Sequence, residues 1–180
     1  REPIDAVRVI ANRSTGKQGY AIATEAVARG ARVTLISTSD LPTPFGVTLV
    51  PVETAQQMME AVNAEAKSAD VVVMAAAVAD VRPVRSALHK LKKDPHTGLI
   101  CDLGSIELEA TPDILAGLGK SKPAGQVLVG FAAETENLIA NAQSKLERKG
   151  ADLIVANDVS QVGVGFAHAT NAVTLVARGA

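Results

Sequence analysis

Apolar residues along the chain fall into short runs, separated by polar segments that carry glycine and proline. Arg1–Ala11 is a proline-containing approach segment with apolar residues alternating at Val7 and Val9. Tyr20–Gly30 predicts a helix, because it is alanine-rich, free of proline and closed by a glycine suited to a C-terminal cap. Arg32–Ser37 is a β-rich run that predicts a buried strand, Leu41–Gly46 is a loop by Pro42, Pro44 and Gly46, and Val47–Glu53 predicts another strand. Thr54 and Gln57 have the spacing of a capping box for a helix to about Ala66, whose inner face would carry Met58, Met59 and Val62 as core filling. Asp70–Ala79 is apolar almost throughout, the mark of a central strand, and runs into Asp80. Val81–Lys93 is polar and basic, and Gly98–Glu109 alternates around Asp102–Ser105 as a small hairpin would. Pro112 opens a helix that Asp113–Leu118 continues and Gly119 ends. A strand over Gln126–Ala132, a helix over Thr135–Lys149 capped by Gly150, and a strand over Asp152–Ala156 follow. A last strand, Asn171–Ala177, comes after a loop spaced by Gly163 and Gly165.

Strands alternating with helices predict an α/β fold: a Rossmann-like, doubly wound, mostly parallel sheet with helices on both faces and a small extra hairpin. Ligands of such sheets sit beyond the carboxyl ends of the strands. Three segments fall there: Ala75-Ala76-Ala77-Val78-Ala79-Asp80, Gly130 to Thr135, and Ala156 to Ser160. Small residues at a strand end let backbone groups meet a flat base edge-on, and Asp80 is placed to accept from a base amino group or a ribose hydroxyl. Each alanine cluster also serves tight strand–helix packing; the three together favour a nucleotide site.

The polar loop Asn12–Gly19 leads into the first helix, and Gly16 and Gly19 let backbone approach a ligand. A helix N-terminus is a ready anion site, although the same glycines suit an ordinary loop-to-helix entry. The loop is not a Walker A motif, since Gln18 follows Lys17 where Ser or Thr is required. Lys90, Lys92 and Lys93 form a basic run that suits a triphosphate, or simply a solvated face. Lys145 and Lys149, four apart on one helix, would add charge to the same region.

The 180 residues make one domain by length, and 47% hydrophobic with 21% charged residues is normal for a folded protein. With 2% aromatic residues, the core must be built from Val, Ile, Leu and Ala. A net charge of −1 argues against nucleic-acid or membrane partners. Cys101 is the only cysteine, which fits a reducing compartment, and a cytoplasmic location is the expectation. No apolar run reaches the ~18 residues of a membrane span. His89, His96 and His168 match no metal-ligand spacing, and neither a Gly-x-Ser-x-Gly elbow nor a Gly-x-Gly-x-x-Gly fingerprint is present. The chain opens mid-phrase at Arg1, as a domain trimmed at both ends would.

These phrases together resemble the phosphopantothenate–cysteine ligase family, the synthetase half of a bifunctional bacterial coenzyme A biosynthesis protein. The matching residues are Arg1-Glu2-Pro3-Ile4-Asp5-Ala6-Val7-Arg8, Asn12 to Gly19, Ala75 to Asp80, Lys90-Leu91-Lys92-Lys93, Pro112-Asp113-Ile114, Gly130 to Thr135 and Ala156 to Ser160, in family order over nearly the whole chain. The resemblance implies that 4′-phosphopantothenate is joined to cysteine with CTP, through an acyl-cytidylate formed with loss of pyrophosphate and resolved with loss of CMP. By the same resemblance Asn12 would hold the pantothenate carboxylate, with Arg8 also at the substrate, and Lys90 would stabilise the triphosphate as pyrophosphate leaves. Ala75, Ala76, Ala77 and Asp80 would read cytosine and ribose, Phe131 would lie near the nucleotide, and Lys145 and Lys149 would meet phosphates. Gly16, Thr111 and Pro112 complete the implied nucleotide site. Mg²⁺ would accompany the triphosphate with no dedicated protein ligands, and a homodimer with sites built from both subunits is implied.

Three departures from the family pattern bear on this. A glycine-rich strand that normally precedes Arg1 is absent, Ala110 stands where a lysine often precedes the Pro-Asp-Ile phrase, and no flavin-dependent decarboxylase half or C-terminal family helix is present. That decarboxylase is the implied fused or associated partner. Two other readings compete. An NAD(P)-dependent reductase of similar fold would want Tyr-x-x-x-Lys, yet Tyr20, the only tyrosine, is followed by Thr24. A nucleotide-sensing subunit that lost the chemistry would be favoured by loss of Asn12 or Lys90, and both are present.

Overall fold

The computed structural model describes residues 1–97, 105–158 and 171–179. The strands are β1 (Glu2–Pro3), β2 (Val9–Ile10), β3 (Val33–Ser37), β4 (Val47–Pro51), β5 (Val71–Met74), β6 (Val81–Pro83), β7 (Leu108–Ala110), β8 (Val127–Glu134), β9 (Leu153–Asp158) and β10 (Val173–Ala177). The helices are α1 (Lys17–Ala28), α2 (Ala55–Glu65), α3 (Ile114–Ser121) and α4 (Leu138–Lys149). Four strands lie in the order β10-β9-β8-β5, parallel except for the antiparallel edge β10. β3 and β4 form a separate parallel pair, and β1–β2 and β6–β7 are short antiparallel pairs.

The core lies where α2, α3 and α4 meet one face of the four-stranded sheet. Met58 and Val62, Ile114, Leu115 and Leu118, and Ala142 and Leu146 close over Leu128, Ala132, Ile154 and Ala156. Leu128 and Ile154 are wholly buried, each worth about 1.5–3 kcal/mol of transfer free energy. The period-2 alternation of β8 explains this: Leu128, Gly130 and Ala132 are buried, while Val127 and Ala133 are exposed.

β3 and β5 each keep one edge without a strand partner among the described residues. Both line, over their whole lengths, a cavity of about 1050 Å³ that neither β4 nor β8 reaches, so the two open edges flank it. Tyr20 and Ala23 of α1 and Met58 and Val62 of α2 complete its walls. The expected continuous sheet is therefore present as two parallel units with a gap between them.

Local structure departs from the sequence expectation at several points. The run from Asp70 to Ala79 predicted one long strand, but pairing with β8 ends at Met74, and Ala75 to Asp80 leave the sheet as irregular backbone. The expected hairpin over Gly98–Glu109 is replaced, for its described part, by pairing of Leu108–Ala110 with Val81–Pro83. Its tip at Asp102–Gly104, with Cys101, lies outside the described residues, as do Val159, Ser160, Gly163, Gly165 and His168. Gly119 does not end a helix: α3 continues to Ser121. The capping box is present as read, with Thr54 Oγ1 accepting from Gln57 N at 3.2 Å and Gln57 Oε1 from Thr54 N at 3.2 Å.

Carboxylates tie these elements at their ends. Asp152 at the start of β9 accepts from Lys122 Nζ at 2.6 Å and from Leu128 N at 2.7 Å, and these hold its carboxyl below the ordinary carboxylate value. Asp113, Asp94 and Asp5 are lowered as well. In the unfolded chain such groups titrate near 3.9, so between the folded and unfolded values the unfolded state binds more protons. Their stabilisation is complete above about pH 5 and is lost as the pH falls through the folded-state values. Melting temperature should be flat from pH 7 to 5 and fall below about pH 4. Lys122→Met should make that acid loss smaller, as thermal melts across pH will check.

Candidate functional site

Residues singled out from the sequence converge beyond the carboxyl ends of β5 and β8. Gly16 sits ahead of α1 with φ of 75°, a conformation that costs a residue with a Cβ about 1–2 kcal/mol. A Cβ there would also stand 2.8 Å from Ser39 Cβ. Gly16 at the N-cap of α1 has no side chain to offer, and the first turn is met only by a long bond from Lys17 N to Thr15 Oγ1 at 3.4 Å, in contrast to α2, where Thr54 and the buried Glu2 carboxylate cap the turn. The open helix end, with Asn12 and Ser14 to Gly16, lines the large cavity together with Ala75, Ala76 and Ala77. Asn12 Nδ2 donates to Val78 O at 2.9 Å, which joins the loop to the segment after β5.

That segment is pinned from the other side by Thr111, whose N–H donates to Asp80 O at 3.0 Å and whose hydroxyl donates to Ala79 O. Asp80 keeps an exposed side chain. Pro112 and Asp113 follow. Asp113 caps α3 by accepting from Ala116 N at 3.0 Å and also pairs with Lys149 of α4. Partial burial would raise the Asp113 pKa, but the Lys149 ion pair and the Ala116 N–H outweigh it. One turn earlier on α4, Lys145 Nζ donates to Phe131 O at 2.7 Å. Burial lowers the Lys145 pKa, and the nearby Lys149 and Arg148 charges add to the effect against the pull of Glu134 and Asp113. Lys145 and Lys149 line a second cavity of about 320 Å³ with Glu134, Asn141, Ser144 and Arg148.

Arg8 and Lys90 are placed differently. The Arg8 guanidinium is engaged within the chain, donating from Nη1 to Asp5 Oδ2 at 2.6 Å and to Leu91 O at 3.3 Å. Lys90 is exposed, and its amine has no partner among the described residues. Two residues that the sequence gives no individual role, though both lie in stretches it points to, belong to the same region. Asp113 is one. The other is Asn157 near the end of β9, 6% exposed, whose Oδ1 has no hydrogen-bond partner among the described residues. A buried unpaired acceptor is costly, which marks it as a group with an unmet donor. Its signal in the sequence was a polar pair, Asn157-Asp158, closing an apolar strand.

Among the described residues no cluster of three His, Cys, Asp or Glu side chains is disposed to hold a metal, and no helix is long and apolar enough to cross a membrane.

The chain is similar to several known proteins. The chain is 48% identical over 172 residues to the coenzyme A biosynthesis bifunctional protein CoaBC of Mycobacterium tuberculosis (strain ATCC 25618 / H37Rv), covering 89% of this chain and 40% of that protein. It is also 48% identical over 178 residues to the CoaBC of Bacillus subtilis (strain 168), covering 97% of this chain and 42% of that protein. The chain thus spans about two fifths of these relatives. A solved structure of the C-terminal domain of CoaBC superposes with a TM-score of 0.79 at 44% identity, over 99% of this chain and 76% of that one. A Cab2 mutant in complex with phosphopantothenate-cysteine shares the fold, with a TM-score of 0.70 at 20% identity over 86% of this chain and 68% of that one. Residues 1–180 match the DNA/pantothenate metabolism flavoprotein C-terminal domain, and the chain belongs to that family.

Proposed function

We propose that this domain is a phosphopantothenate–cysteine ligase of coenzyme A biosynthesis, using CTP. The observation that carries the reading is the joining of Asn12, the Ala75–Asp80 segment, Thr111 to Asp113 and Lys149 by hydrogen bonds and an ion pair, with Lys145, one turn from Lys149, held on Phe131 O. In the proposed reaction a carboxylate oxygen of 4′-phosphopantothenate attacks the α-phosphorus of CTP. The bond to the β-phosphate oxygen breaks, and pyrophosphate leaves. The amine of cysteine then attacks the acyl carbon of the cytidylate, CMP departs and the amine loses a proton.

Asn12, beside Val78 O, would orient the carboxylate. Lys90, Lys145 and Lys149 would meet the phosphates, where charge builds on the leaving group. Lys149 would exchange its Asp113 partner for a phosphate oxygen. Asp80 and the carbonyl and N–H groups of Ala75 to Ala77 would read ribose and base, with Phe131 and Gly16 at the nucleotide, while Arg8, engaged by Asp5 and Leu91 O, would act through those partners and not on the pantothenate directly. Mg²⁺, held by triphosphate oxygens and water, would neutralise charge on the phosphates. A homodimer, and a covalently joined flavin-dependent decarboxylase half, belong to the same proposal, the latter supported by the bifunctional relatives.

Pyrophosphate release on mixing the protein with 4′-phosphopantothenate, Mg²⁺ and CTP, with ATP in parallel, tests the reading. The expected result is release that requires CTP and phosphopantothenate, with CMP appearing only after cysteine is added. Nucleotide binding without release from either triphosphate would instead establish a sensing domain.

A further inference from the structure

Asp5 is polar, wholly buried in its side chain, and has no role in the reaction as written. Its Oδ1 accepts from Val7 N at 2.8 Å and Arg8 N at 2.7 Å, closing a tight turn ahead of β2. Its Oδ2 accepts from Arg8 Nη1 at 2.6 Å and, across the fold, from Leu91 N at 3.2 Å. Arg8 Nη1 donates onward to Leu91 O, so both backbone groups of Leu91 are held by one ion pair. The same hairpin-like turn receives Ala87 N at Ile4 O, 3.0 Å.

Two paths lead from this carboxylate. Along the chain it fixes Arg8, and β2 then carries the backbone to Asn12. Across space it fixes Leu91, the residue after Lys90. Asp5 is thus the point at which the Asn12 segment and the backbone next to Lys90 are tied together, beside the Ala87–Ile4 bond. Burying a carboxylate at a loop junction is costly, and here four donors meet it.

We propose that Asp5 is a positioning residue that, through Arg8 and both backbone groups of Leu91, sets Lys90 against Asn12; this rests on the ligase reading above. Lys90 itself is exposed and flexible at its stem, so its reach is set by where the backbone at residue 91 is anchored. Without the anchor, the fold retains its core but the phosphate-directed amine loses its place, and a displacement of about 1 Å at such a group costs on the order of 100-fold in rate.

The test compares wild type, Asp5→Asn, Lys90→Gln and the double variant, reading pyrophosphate release and melting temperature. Asp5→Asn keeps the shape but offers an N–H in place of one acceptor. Expected are release rates about 10- to 100-fold lower for both single variants, a double variant no slower than Lys90→Gln alone, and an unchanged KM for phosphopantothenate. If Lys90→Gln is slow while Asp5→Asn runs at the wild-type rate, or the double variant multiplies the two losses, the positioning role is overturned and the ligase reading stands. If Lys90→Gln equals wild type, or wild type releases no pyrophosphate, the assigned role of Lys90 falls and the positioning role with it. Should Asp5→Asn not fold, Arg8→Gln replaces it, since Asp5 then keeps its three backbone donors. A raised phosphopantothenate KM in that variant would place Arg8 at the substrate and overturn its part in the clamp.

Discussion

Gly119→Ala should destabilise the protein by about 3 kcal/mol, lowering its melting temperature by about 6–12 °C, whereas Gly117→Ala, two residues earlier, should raise it. A Cβ at Gly119 would stand 1.8 Å from Lys149 O and 3.1 Å from Gly150 Cα. Both obstacles are backbone, so no rotamer change relieves the contact and α3 and α4 must move apart. That contact sits directly beside Leu118, 3% exposed, so parting the helices opens the core. Gly117 in the same helix meets nothing within 4 Å, and alanine there gains about 1 kcal/mol of helix propensity. Thermal melts of the two variants check the pair. Equal effects of the same sign would contradict the helix contact. Because Asp113 and Lys149 lie at opposite sides of this joint, nucleotide binding by Gly119→Ala should weaken along with stability.

Asn12→Asp should reduce product formation about 100-fold or more while leaving the melting temperature within about 1 °C. Asn12 is exposed, and its Nδ2 donates to Val78 O at 2.9 Å. A carboxylate has no N–H for that carbonyl and sets two oxygens against each other, which frees the loop from the Ala75–Asp80 segment. It also places a negative charge where the substrate carboxylate must come. Rates of pyrophosphate and CMP release, measured separately, will show whether activation or completion suffers more. Full product at the wild-type rate would remove Asn12 from the mechanism.

The glycines show why some of this was legible in the sequence and some was not. Gly119 reads as a helix stop, because glycine after an apolar helical run commonly is one. The sequence holds nothing that distinguishes it from Gly117, since the reason for it is the backbone of residues 149 and 150, thirty positions away. The run from Asp70 to Ala79 likewise reads as one strand, because every residue after Asp70 has the apolar character a central strand requires. Where it stops is decided by its partner: β8 pairs with it only as far as Gly130, and Asn12 and Thr111 take the carbonyls of Val78 and Ala79 instead. Residues 108–110 pair with 81–83 for the same kind of reason, as strand partners are chosen by the folded layout.

Other features needed no tertiary context. The capping box at Thr54 and Gln57, the Gly150 turn and the alternation of strands with helices are local, and local rules of capping and composition recover them. Family motifs pointed to the membership of the chain, and of the residues they name Asn12, Ala75 to Asp80 and Thr111 are joined after β5, whereas Arg8 and Lys90 are not part of that cluster. Only the structure decided that Arg8 is spent on Asp5 and Leu91, that Asp113 holds Lys149, that Lys145 rests on Phe131 O, and that Asn157 keeps a buried acceptor unpaired. Sequence spacing sets which residue types share a helix face or a strand end. The distances that turn them into a site depend on how α4, the Asp5 turn and the Lys90 loop pack, and those are long-range contacts that no local pattern encodes.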